Sequence, residues 1–81
     1  MDSNTISDLL IEMIRRTVPE LVAHPVTRSD SMADLGVDSM ERGDILIATL
    51  ETMDLEIPLT QLHGPRSIGE LADRIHAKSI R

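Results

Sequence analysis

The feature that most constrains the fold is the spacing of the apolar residues, which follows the period of an α-helix in three separate segments. In the first segment the apolar positions are Ile6, Leu9, Leu10, Met13 and Ile14. Thr5 and Asp8 resemble a helix start and Pro19 is a helix stop, so the sequence predicts a helix over residues 5–17. No stretch of useful length alternates as a β-strand does. The spacing therefore predicts an all-α fold.

The second helical segment opens with a recognisable start signal. Asp38 and Glu41 have the spacing of a capping box, which predicts a helix that starts at Asp38, has Ser39 as its first residue and ends near Met53. A helical wheel gives this helix an apolar stripe of Gly43, Leu46, Ile47, Leu50 and Met53. The neighbouring outward stripe comprises Glu41, Asp44, Ala48 and Glu51. Met40 lies at the seam between the two stripes.

The remaining segments complete a small bundle. Residues 18–37 form a long connection, and we expect it to be pinned to the core by Leu21, Val22, Val26, Met32 and Leu35. The segment IPLTQL predicts one short helical turn, and Ser67 with Glu70 forms a second capping-box pattern. The predicted buried face of the last helix is Ile68, Leu71, Ala72 and Ile75. We expect one domain over residues 1–81, with three main helices, one short helix and a long first loop.

Composition and charge restrict the function. The chain has 81 residues and no cysteine, so its core is small and neither disulfides nor thiolate metal sites are available. His24, His63 and His76 lack the spacing of metal ligands, and we predict no metal or catalytic site. No apolar run is long enough to span a bilayer, and the first residues lack the basic start of a signal peptide. We expect a cytoplasmic monomer that does not bind membranes.

Negative charge is concentrated in one part of the chain. Six acids and one base, Arg42, lie between Asp38 and Glu56, so this stretch accounts for −5 of the net charge of −6. Nucleic acid would be repelled by this charge. The stretch favours protein partners with basic surfaces, although acidic stripes are often only solvated faces of helices.

Ser39, in the segment DLGVDSM, has three possible roles: a helix-start residue, a hydrolase nucleophile, or the attachment point of a phosphate-linked group. The nucleophile is disfavoured because GVDSM lacks the second glycine of a G-x-S-x-G elbow and no strand precedes it. A phosphodiester at a helix N-terminus would be stabilised by the N–H groups and the helix dipole. These residues alone do not decide between a helix start and an attachment point.

DLGVDSM, the acidic helix after it and the segment LEIP together resemble the acyl carrier proteins of fatty-acid and polyketide synthesis. The likeness extends from the first helix to the SIGELADRI helix. It implies that Ser39 carries covalent 4'-phosphopantetheine, delivered from coenzyme A by a separate Mg-dependent phosphopantetheinyl transferase. The thiol of that arm would hold acyl groups as thioesters for polyketide synthase enzymes such as ketosynthase and acyltransferase, so the chain would be a carrier and not an enzyme. A helical interaction module without a prosthetic group is the alternative of another class.

The segments SMERGDI, EIPL and SIGEL are similar to the freestanding donor carriers of polyketide beta-branching cassettes. Those carriers present an acetyl group to an HMG-CoA-synthase-like enzyme, whereas acceptor carriers typically have a tryptophan six residues after the serine. This chain has Ile45 at that position, and we expect no fused synthase domains at its ends. The resemblance therefore implies an acetyl donor, with a general fatty-acid or polyketide elongation carrier as the alternative.

We expect partner enzymes to recognise the surface around Ser39. The predicted recognition residues are Asp38, Met40, Glu41, Arg42, Gly43, Asp44, Ile45, Ile47 and Glu51. Among these, Gly43 is unusual because glycine inside a helix costs about 1 kcal/mol relative to alanine. It is either an accommodation of tight packing or room for the arm or a partner.

Overall fold

A computed structural model describes residues 2–79 of the chain. These residues form three α-helices, α1 (Ser3–Thr17), α2 (Ser39–Thr52) and α3 (Ile68–Ser79). Two short 3₁₀ helices lie between them, Pro19–Leu21 and Leu59–Leu62. The described range contains no strand, and no helix in it is long and apolar enough to cross a membrane. The predicted all-α bundle and the short helix in IPLTQL are therefore confirmed, whereas the short helix Pro19–Leu21 was not predicted.

The start of α1 differs from the prediction. Asp2 is the N-cap, and its side chain accepts a hydrogen bond of 2.8 Å from the N–H of Thr5. The predicted start, with Thr5 and Asp8 as its signal, was wrong. Asp2 precedes Thr5 by the spacing that lets an N-cap side chain reach a backbone N–H. The helix ends at Thr17, and Pro19 begins the first 3₁₀ helix, which confirms the predicted stop.

The core is aliphatic and lies where α1 crosses α2 and α3. Its most deeply buried side chains are those of Ile6, Leu10, Ile14, Ile45, Leu62, Ile68 and Ile75. Leu62 attaches the second 3₁₀ helix to this core, and the predicted buried face of α3 is confirmed. The chain contains no phenylalanine, tyrosine or tryptophan, so branched aliphatic side chains and methionine fill most of this space.

The buried face of α2 is rotated relative to the predicted stripe. Ile45, Leu46, Thr49 and Leu50 are buried, while Ile47, which we had placed in the stripe, is 45% exposed. The Thr49 hydroxyl donates a hydrogen bond of 2.8 Å to the Ile45 carbonyl. Because this polar group is satisfied inside the helix, threonine can occupy a core position here.

The connection between α1 and α2 is held mainly by the expected side chains. Leu21 and Met32 are buried, and Val26 and Leu35 are partly buried against the core. Val22 is 66% exposed, so its predicted role was wrong. It directly follows the first 3₁₀ helix, in which Leu21 already occupies the position that faces the core.

Arg28 binds the middle of this connection to both α1 and α3. Its guanidinium donates to the Ser3 hydroxyl at 3.1 Å, to the Asp73 carboxylate at 3.2 Å and to the Asn4 side-chain oxygen. The Arg28 carbonyl accepts the Gly69 N–H at 2.9 Å. The hydrogen bonds from Ser3 and Arg28 hold the pKa of the Asp73 carboxyl below its ordinary value. These contacts fix the segment that precedes Ser39.

The start of α3 confirms half of the predicted capping box. The Ser67 hydroxyl accepts the Glu70 N–H at 3.0 Å. The Glu70 carboxylate accepts the N–H of Arg66 at 3.1 Å, in place of the reciprocal bond to Ser67 that the pattern predicted. The backbone ahead of α3 is thus tied to its first turn.

Candidate functional site

The turn before Ser39 places this residue at the surface of the protein. Gly36 has a positive φ of 82°, a left-handed conformation that glycine adopts without steric cost. Its N–H donates to the Ala33 carbonyl at 3.1 Å, and the Val37 N–H donates to the Met32 carbonyl at 2.9 Å. Val37 is buried, so the chain is anchored immediately before it emerges at the start of α2.

The first turn of α2 has the predicted capping box. The Asp38 carboxylate accepts the Glu41 N–H at 2.7 Å, and the Glu41 carboxylate accepts the Asp38 N–H at 3.2 Å. Asp38 is extended, with φ −79° and ψ 175°, and Ser39 is the first helical residue. The predicted start of α2 is therefore confirmed. Ser39 itself is exposed at a helix end whose position is fixed by its neighbours.

A cleft of about 670 Å³ opens beside Ser39. Its walls come from the end of the α1–α2 connection, the first turn of α2 and the residues that lead into α3. Apolar lining is supplied by Met32, Val37, Ile68 and Leu71. None of the residues that line the cleft is a histidine, so no imidazole base lies beside the hydroxyl. An exposed hydroxyl beside an open cleft at a helix N-terminus fits a covalently attached phosphate group better than a hydrolytic nucleophile.

Four of the nine predicted recognition residues lie on the outer face of α2. Met40 is 79% exposed, Ile47 is partly exposed, and Asp44 and Glu51 are exposed. We call these four residues the α2 outer surface. The prediction for Ile45 was wrong because its side chain is fully buried and offers no surface to a partner.

Three other predicted residues have local roles. Asp38 and Glu41 cap α2, and the Arg42 guanidinium donates to the Leu62 carbonyl at 3.1 Å. Arg42 therefore connects α2 to the second 3₁₀ helix and is only partly exposed.

Gly43 has open space around it. A Cβ atom built there meets no heavy atom within 4 Å, once the backbone of its own helix is set aside. Tight packing therefore does not explain this glycine.

Sequence reasoning missed Arg66, which lines the cleft opposite α2. Its only signal in the sequence is its place next to Ser67, the residue that caps α3. Arg28 was also missed, because its partners are separated from it by 21 to 45 residues.

Comparison with known proteins gives consistent matches. Residues 4–75 match the phosphopantetheine attachment site family. The chain is 38% identical over 78 residues to the polyketide biosynthesis acyl-carrier-protein AcpK of Bacillus subtilis (strain 168), covering 96% of this chain and 95% of that protein. It is also similar to a chain in the crystal structure of the curacin biosynthetic pathway HMG synthase in complex with acetyl donor-ACP. That match has a TM-score of 0.90 and 35% identity, and it covers 95% of this chain and 99% of the other.

Proposed function

Because this chain belongs to the phosphopantetheine attachment site family of acyl carrier proteins, we propose that it carries 4'-phosphopantetheine on Ser39 and donates acetyl groups to an HMG-synthase-type enzyme in polyketide beta-branching. The observation that supports the donor role most strongly is the likeness to the acetyl donor-ACP chain, which extends over 99% of that chain. A carrier of this kind is a substrate for several enzymes and catalyses no step itself.

The surroundings of Ser39 support attachment at this residue. Its hydroxyl is exposed, and the N–H groups of the first helical turn can stabilise a neighbouring anion. Attachment would form a bond between Ser39 Oγ and the pantetheine-linked phosphorus of coenzyme A, break the pyrophosphate bond and release adenosine 3',5'-bisphosphate. The proton of the hydroxyl would pass to a base of the transferase, since no histidine lines the cleft. The chain has no cysteine, so the thiol that carries acetyl comes with the prosthetic group.

The attachment experiment is incubation with coenzyme A, Mg²⁺ and a broad-specificity phosphopantetheinyl transferase, followed by intact mass. We expect one phosphopantetheinyl group on the wild type and none on Ser39→Ala. Ser29→Ala is the matched control, because Ser29 lines the same cleft and should not affect loading. Equal labelling of Ser39→Ala would contradict the assignment. No labelling of the wild type would favour an interaction module without a prosthetic group.

The α2 outer surface supports docking to partner enzymes. Asp44 and Glu51 supply negative charge, and Met40 and Ile47 add exposed apolar area beside it. A basic surface with an apolar centre would complement this arrangement. The transferase, ketosynthase and acyltransferase would compete for the same face, as would the HMG-synthase-type enzyme.

The burial of Ile45 supports a donor in preference to an acceptor. Acceptor carriers typically have tryptophan at this position, whereas Ile45 is fully buried in a core without aromatic side chains. Inserting an indole here would overpack the core, which typically costs about 1–3 kcal/mol. The core of this chain is therefore built for the smaller residue.

A competition experiment tests the donor role. Acetyl-loaded forms of this protein and of an elongation carrier are offered together to an HMG-synthase-type enzyme with an acetoacetyl-loaded acceptor. We expect this protein to be consumed first, because the prosthetic arm is the same on both carriers and only the protein surfaces differ. Equal consumption would leave a general elongation carrier as the function.

A further inference from the structure

Two arginines line the cleft beside Ser39 from different elements. Arg42 lies on α2, and Arg66 lies in the segment that leads into α3. Two acids, Asp34 and Asp38, also line the cleft, so its lining carries two charges of each sign, and the Asp38 carboxylate accepts the N–H of Glu41. The cleft thus differs from the α2 outer surface, which carries acids and no base.

Arg42 is oriented by its contact with Leu62. Its Nη2 atom donates to the Leu62 carbonyl at 3.1 Å, which holds the planar guanidinium in place. A guanidinium has five N–H donors, so most of its donors remain for another acceptor. Arg42 follows Ser39 by three residues, and residues at this spacing are neighbours on a helix surface. A negative group on the Ser39 oxygen would therefore lie within reach of Arg42.

The positive charge of the Arg66 side chain is not paired with an acid within residues 2–79. Its backbone N–H is fixed by the Glu70 carboxylate, but its exposed side chain makes no hydrogen bond or ion pair within residues 2–79. A cation without a paired acid raises the local potential of an open cleft. It can pair with an anion that is brought to the cleft by covalent attachment.

We propose that Arg42 and Arg66 bind the phosphodiester on Ser39 from two sides and direct the prosthetic arm across the cleft towards α3. This inference rests on attachment at Ser39, as proposed above. Guanidinium groups match the geometry of phosphate oxygens, and hydrogen bonds between charged partners are stronger than those between neutral ones. The acids of the α2 outer surface repel the same phosphate, so that surface stays open for partner enzymes.

The test is phosphorus NMR of the loaded protein, after intact mass has shown that each variant carries one phosphopantetheinyl group. We expect the wild-type resonance to differ in position from that of the same phosphodiester in the loaded protein unfolded in urea. Arg66→Gln should remove at least half of that difference, because it abolishes one of the two cations without breaking a contact within the described residues. Lys78→Gln is the matched control, since Lys78 is an exposed base near the end of α3 and does not line the cleft.

Arg42→Lys is the second variant, because it keeps the charge but loses the planar group. It should also move the resonance towards that of the unfolded loaded protein, while circular dichroism shows that the helices are retained. An unchanged resonance in both arginine variants overturns the inference, as does an equal change in Lys78→Gln. Absence of loading in the wild type is seen first, by mass, and overturns the proposed function together with this inference.

Discussion

Replacing Gly43 by alanine should stabilise this protein. Gly43 lies in the interior of α2, and an added Cβ atom meets no heavy atom within 4 Å outside its own helix. Glycine in a helix interior is less favourable than alanine by about 0.8–1.0 kcal/mol. Because no clash offsets this gain, we expect the free energy of unfolding to rise by about 1 kcal/mol. In a domain of this size such a change raises the Tm by roughly 4–8 °C.

The matched change, Gly69→Ala, should have the opposite effect. An added Cβ atom there would lie 3.1 Å from the Nε atom of Arg28, 3.2 Å from its carbonyl oxygen and 3.3 Å from its Cβ atom. The Gly69 N–H also donates to that carbonyl at 2.9 Å, so the two backbones cannot separate without losing a hydrogen bond. Overpacking costs about 1–3 kcal/mol, whereas alanine gains at most about 1 kcal/mol in helix propensity. The expected net loss is therefore up to about 2 kcal/mol.

Thermal and urea unfolding followed by far-UV circular dichroism measures both changes, since the chain has no tryptophan or tyrosine for fluorescence. A Gly43→Ala protein that unfolds at a lower temperature than the wild type, or a Gly69→Ala protein stabilised as much as Gly43→Ala, would refute this reasoning. Acetyl transfer by loaded Gly43→Ala adds a functional result. Slower transfer by this more stable protein is expected if the glycine leaves room for a partner or the arm.

Three further predictions concern charge and capping. The hydrogen bond from the Ser3 hydroxyl helps to keep the pKa of Asp73 below 3.8. The stabilisation by the Asp73 carboxylate is therefore present above its unfolded-state pKa and is lost as pH falls through its folded-state pKa. The destabilisation caused by Asp73→Asn, measured by urea midpoints, should therefore be smaller below about pH 4 than at neutral pH. Asp38→Ala should lower the free energy of unfolding by about 0.5–2 kcal/mol, and Asp38→Asn by much less, in the same urea assay. Reversing Asp44 and Glu51 to lysine should slow acetyl transfer at low salt, less so at high salt, with stability changed by only about 0.5 kcal/mol per site; unchanged low-salt rates would contradict a docking role.

Local signals predicted the start of α2 and the position of Ser39. A capping box involves residues only three positions apart, so the sequence contains the whole interaction between Asp38 and Glu41. The rotation of α2 could not be predicted in the same way. Thr49 is polar but buried in the fold, and the apolar stripe predicted without it included Ile47 and left out Ile45. Among the predicted recognition residues, only Ile45 proved to be fully buried.

Contacts between distant segments account for the rest of what sequence reasoning missed. Arg28 looks like an ordinary surface charge in the sequence, yet it bonds to α1 and to α3. Arg66 is a candidate for the site only because the fold places it on the same cleft as Ser39. Neither relation follows from spacing along the chain, since both depend on how three helices pack.

The fixed backbone around Ser39 has a consequence for how cargo reaches an enzyme. Buried Val37 on one side and the cap of α2 on the other leave this residue little freedom of its own. A tether attached there pivots about a stationary point, and its reach is set by the length of the arm. The local concentration of thioester at a docked enzyme then depends on where the carrier binds and how it is turned, as for any linked pair. Small rotations of the docked bundle would consequently decide which active sites the acetyl group can enter.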